Sequence, residues 1–61
     1  MKFSLTFDCD NSAFEYDGDD TALLNEVSRI LRTVAKRVQD DDRQGNVRDS
    51  NGNTVGKFKL A

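Results

Sequence analysis

Leu23, Leu24, Val27, Ile30, Leu31, Val34, Ala35 and Val38 recur at three- and four-residue spacing in the middle of a 61-residue chain. That period predicts one amphipathic helix, from about Thr21 to Asp41. Asn25, Arg29, Arg32, Lys36 and Arg37 take its opposite side. One helix cannot bury its own stripe, so the flanking segments must supply the surface that covers it.

The N-terminal flank reads as a strand. Phe3, Leu5, Phe7 and Cys9 alternate with Lys2, Ser4, Thr6 and Asp8, the period-two pattern of a half-buried strand. Asp10-Asn11 tolerates a tight turn. A turn there sets Phe7 opposite Phe14 and Leu5 opposite Tyr16, so a hairpin with strands at about 2–9 and 12–16 is expected. The C-terminal flank carries Asn51-Gly52, the strongest short-range hairpin signal. A two-residue loop there pairs Val47 with Gly56. A three-residue loop, Ser50-Asn51-Gly52, pairs Val47 with Val55, and an extra residue at Gly56 then returns Phe58 and Leu60 to one face. The second register is preferred.

The expected fold is a single α+β domain over residues 1–61, in the order ββαββ. It is an antiparallel sheet of two hairpins with the amphipathic helix packed across one face. The expected core is Phe3, Leu5, Phe7, Phe14, Tyr16, Leu23, Val27, Ile30, Leu31, Val34, Val38, Val47, Val55, Phe58 and Leu60.

A chain this short buries only about 60% of its unfolded surface, so its core is thin. A disulfide or zinc site cannot reinforce it, because Cys9 is the sole cysteine and histidine is absent. That leaves oligomerisation, or a compact monomer of modest stability, and a sheet this small keeps every strand near an edge. A homodimer is therefore expected. One cysteine, no transmembrane-length apolar run and no signal-like N-terminus together predict a cytoplasmic protein.

The net charge of −2 hides a polarity. Residues 1–20 sum to −5, residues 21–38 to +3 and residues 39–61 to zero. A basic helix face thus sits between acidic turns. Arg29, Arg32, Lys36 and Arg37 could touch phosphates, yet no aromatic residue interleaves with them, and the chain as a whole is not basic. The bland reading is a solvated helix face.

Asp17, Asp19 and Asp20 follow a similar logic. Oxygen-rich turns can hold hard cations, but the spacing lacks the glycine and glutamate of an EF-hand. Helix capping by Asp19 or Asp20 explains these residues with less. Mimicry of DNA by the carboxylates is opposed by nine basic residues against eleven acidic ones. Cys9 has no histidine to activate it and continues an apolar face, as a small buried hydrophobe would. No catalytic set, metal site or cofactor site is expected.

The runs Lys2-Phe3-Ser4-Leu5-Thr6-Phe7-Asp8 and Val47-Arg48-Asp49-Ser50-Asn51-Gly52-Asn53-Thr54-Val55-Gly56 resemble small uncharacterised proteins of tailed-phage and prophage genomes. Those proteins often finish in a D-x-N-G-N-x-V-G hairpin. The resemblance spans most of the chain and transfers no functional residue. It implies a phage accessory product in the host cytoplasm that binds a host protein.

The leading expectation is a non-enzymatic homodimer acting by protein–protein contact, inhibiting a host factor or defence protein. Its contact residues would be Arg29, Arg32, Lys36, Arg37, Asp17, Asp19 and Asp20. The alternative is a nucleic-acid-associated protein using the basic helix face.

Overall fold

The computed structural model describes residues 1–14 and 20–61. The strand β1 (Phe3–Phe7) is followed by a 3₁₀ turn (Ser12–Phe14) and then by the helix α1 (Thr21–Gln39). Strands β2 (Gln44–Arg48) and β3 (Thr54–Leu60) complete one antiparallel sheet in the order β1-β3-β2. The fold is a small α+β domain with α1 packed across the sheet.

The partner of β1 differs from expectation. β1 pairs with β3, with Phe3 opposite Leu60, Leu5 opposite Phe58 and Phe7 opposite Gly56. Residues 12–14 form no second strand. Asn11 turns the chain there instead: its Oδ1 accepts from the N–H of Ala13 at 2.9 Å, and its carbonyl accepts from the N–H of Phe14 at 3.0 Å. These local bonds satisfy the backbone groups that a hairpin ladder would have used. Phe14 still reaches Phe7, ring centroids 6.4 Å apart, but from above the sheet. Glu15 and Tyr16, and with them the expected pair of Leu5 and Tyr16, lie outside the described residues.

The second hairpin forms with the preferred three-residue loop. Asp49 donates its N–H to Asn53 O and accepts from Gly52 N, closing the turn around Ser50, Asn51 and Gly52. Gly52 sits at φ +83°, where side chains rarely go. The bulge lies one residue earlier than expected: Arg48 faces Thr54 and Val47 faces Gly56, so Val55 is the extra residue. The reason is steric. A Cβ at Gly56 would run into the carbonyl oxygen of Thr6 and come within 2.5 Å of Phe7 Cα, so Gly56 must occupy the rung beside β1.

The helix ends at Gln39, two residues before its expected limit, in a Schellman closure. Asp41 N–H bonds Val38 O and Asp42 N–H bonds Arg37 O, with Asp41 itself at φ +74°. At the other end Asp20 occupies the N-cap position, but its side chain makes no capping bond.

Phe14, Ile30, Val34, Val47 and Phe58 are buried, with Leu5, Phe7, Cys9, Ala13, Leu23, Val27 and Val55 packed partly against them. Three expected core residues are exposed, Phe3 at 45%, Leu31 at 48% and Val38 at 37%, and Leu60 is only partly buried. A three-stranded sheet is too narrow to cover the whole stripe of α1, and the helix lies toward β2, to which Arg29 and Arg37 are bonded.

Two substitutions test this account. Gly56→Ala overpacks β3 against β1 and is expected to destabilise the fold by about 2–3 kcal/mol in urea unfolding. Asp41→Gly relieves the positive φ and is expected to stabilise by about 0.5–1 kcal/mol, read as a rise in melting temperature.

Candidate functional site

The basic residues of α1 divide into two pairs. Arg29 and Arg37 are committed to the fold. Arg29 Nε donates to Glu26 Oε1 at 2.7 Å, and its Nη2 reaches Glu26 Oε2 at 3.2 Å and Arg48 O at 3.1 Å. Arg37 donates from Nη1 to Asn46 O at 2.7 Å and from Nε to Asp42 Oδ2 at 3.0 Å, with its guanidinium 4.8 Å above the Phe58 ring. Arg32 and Lys36 are exposed, and their contacts stay on the helix: Arg32 to Ser28 Oγ at 2.7 Å, Lys36 to Asp40 Oδ2 at 3.4 Å. Of the acidic candidates, Asp17 and Asp19 lie outside the described residues, and Asp20 is exposed at the start of α1.

Two carboxylates that sequence reasoning passed over are the most buried polar groups described, Glu26 at 6% exposure and Asp49 at 4%. Glu26 takes the N–H of Ser50 at 2.6 Å besides Arg29, tying the helix to the β2–β3 turn. Asp49 accepts from the N–H groups of Asn51 and Asn53, both at 2.9 Å. Its Oδ2 accepts from Asn11 Nδ2 at 2.7 Å, so one side chain holds together the turn before α1 and the turn after β2. The hydrogen bond from Arg29 holds the Glu26 carboxyl below its ordinary value, against burial and with help from Ser50 N–H. Burial pushes Asp49 upward, yet the bonds from Asn53, Asn51 and Asn11 outweigh it and leave that carboxyl low as well. The available signal was weak: an aspartate opening a turn, and a glutamate three residues before an arginine.

Cys9 is half-buried against the core, and its thiol is pushed up by burial, then by Asp10 and Asp8. Thiolate chemistry is disfavoured there. Among the described residues no group of three or more His, Cys, Asp or Glu is placed to hold a metal ion. No described helix is long and apolar enough to cross a membrane.

The edges of the sheet differ sharply. On β2 the carbonyls of Asn46 and Arg48 face outward, and Arg37 and Arg29 occupy them. On β1 the even positions bond inward: Lys2 and Ala61 exchange both N–H···O bonds at 2.6 and 2.9 Å, and Asp8 N–H reaches Val55 O at 2.9 Å. Phe3, Leu5 and Phe7 therefore turn their backbone N–H and C=O groups outward, with no partner among the described residues. On α1, Leu24, Leu31 and Val38 recur every seven residues and stay exposed, Leu24 at 64%. They form a second apolar seam beside the buried one. The sheet face opposite the helix presents Lys2, Ser4, Thr6, Lys57 and Lys59 around an open hollow of about 680 Å³.

No family model matches the chain, and no curated protein or solved structure matches it.

Acid should weaken the fold in a defined way. Each low carboxyl binds its proton more weakly when folded than when unfolded. Its stabilisation is complete above the unfolded value of about 4 and is lost as pH falls through the lower folded value. The urea midpoint is expected to drop between pH 5 and pH 3, with a shallower drop in Glu26→Gln. Glu26→Ala leaves the Ser50 N–H unpaired and is expected to cost about 2 kcal/mol at neutral pH.

Proposed function

We propose that the protein works without catalysis, by contact with another protein, as a homodimer of the phage-accessory kind that engages a host factor. One observation carries this reading: the apolar row of Leu24, Leu31 and Val38 stands open on a chain with few apolar residues to spare. Isolated apolar residues on a surface are ordinary, whereas a row of them at heptad spacing marks a contact face. Arg32, on the polar side of that row, supplies a charged rim. The likeness of the first strand and the last hairpin to small phage proteins supports the host-directed part of the reading. A nucleic-acid role for the same helix would rest on Arg32 and Lys36, because Arg29 and Arg37 have their donors in use.

The reading is tested with a photo-crosslinking amino acid at Leu31 and, as a comparison, at Asn25 on the polar side of α1. In host-cell lysate the Leu31 probe is expected to give discrete protein adducts, and Leu24→Glu with Val38→Glu is expected to abolish them. Equal labelling from Asn25, or adducts to nucleic acid only, overturns the proposal.

A further inference from the structure

We propose that a second copy of this chain adds to the open edge of β1, antiparallel, with the two-fold axis at Leu5, to make a continuous six-stranded sheet. The inference rests on the homodimer just proposed and assigns its interface.

Three observations converge. First, the two sheet edges are unequal. Arg29 and Arg37 occupy the outward carbonyls of Arg48 and Asn46 on β2, while on β1 the outward N–H and C=O groups of Phe3, Leu5 and Phe7 have no partner among the described residues. An open strand edge is a template for another strand. Second, hydrogen-bonding parity restricts the register. Outward groups sit at odd positions, so odd residues must meet odd residues across the new ladder. Pairing Leu5 with its symmetry mate does so, and it sets Phe3 against the partner's Phe7. Three such pairs exchange about six N–H···O bonds.

Third, the side chains agree with that register. On the outer face Ser4 meets Thr6 of the partner subunit, and Lys2 meets Asp8 of the partner subunit. Lys2 and Asp8 are exposed, and neither has an ion-pair partner among the described residues. Within one chain they stand about 20 Å apart along β1, too far to pair. Across the two-fold axis each becomes the other's neighbour, twice. A shift by two residues either way keeps the parity but loses this match, setting Lys2 opposite Thr6 or Asp8 opposite Ser4.

The inner face gains as well. Phe3 packs on Phe58, centroids 6.2 Å apart, and stays 45% exposed. Phe7 is roofed by Phe14. The antiparallel register carries the exposed end of each β1 to the roofed end of its partner.

The experiment uses the full chain carrying Cys9→Ser. Ser4→Cys and Thr6→Cys are made as separate variants, because facing residues of a non-hydrogen-bonded pair approach to about 4.5 Å between Cα atoms, within disulfide reach. Oxidising an equimolar mixture is expected to give mainly the mixed 4–6 disulfide dimer. Either variant alone is expected to crosslink several-fold less. Lys2→Asp is expected to weaken self-association by about tenfold in sedimentation equilibrium, and Lys2→Asp with Asp8→Lys is expected to restore it. A dimer mass for the unmodified protein with no preferred 4–6 product overturns this interface and leaves the homodimer standing. A monomer mass at every concentration removes both.

Discussion

Arg29 and Arg37 reach from one flank of α1 to the outward carbonyls of Arg48 and Asn46, and the placement of the helix depends on them. Each bond is charge-assisted, and each uses an oxygen that would otherwise face water or another strand. Glu26 sets the angle of Arg29, and Phe58 lies under Arg37. A helix held this way lies toward β2. The β1 side of its apolar stripe then has too little sheet beneath it, which is why Leu31, Val38 and Phe3 stay open although their spacing marks them as core.

The same economy appears in the turns. Among the described residues five apolar side chains are buried, so the hydrophobic contribution is modest for a chain with this much backbone to order. Asp49 compensates by joining three asparagines to one carboxylate. Such a network orders two loops at once, but it is a conditional support, because protonation removes acceptors from a buried site. The molecule measures 40 × 19 × 16 Å, elongated for its length.

Local chemistry was legible in the sequence wherever it was decided by neighbours. The period of α1, the alternation of β1 and the three-residue loop ending at Gly52 all follow from side-chain spacing and φ preference. The bulge was legible in kind and displaced by one residue, because the approach of β1 to Gly56 is a long-range fact. The expected strand at 12–16 failed over residues 12–14 for a subtler reason: Asn11 can serve a hairpin turn or a 3₁₀ turn equally well, and here its Nδ2 is also held by Asp49, 38 residues away. The basic stripe of α1 was visible as spacing, but nothing in that spacing tells a solvated arginine from one that spans to a strand.

By itself, then, the sequence determined an α+β chain with one amphipathic helix, a C-terminal Asn-Gly hairpin and no means of covalent reinforcement within a single copy. These are properties of nearest neighbours and of composition. Only the tertiary structure decided that β3 takes the centre of the sheet, that two arginines occupy carbonyls on one edge while the other finds no partner among the described residues, and that Glu26 and Asp49 go inside. Those outcomes turn on which distant backbone groups find partners, and a carbonyl oxygen carries no mark of its future donor in the residue that bears it.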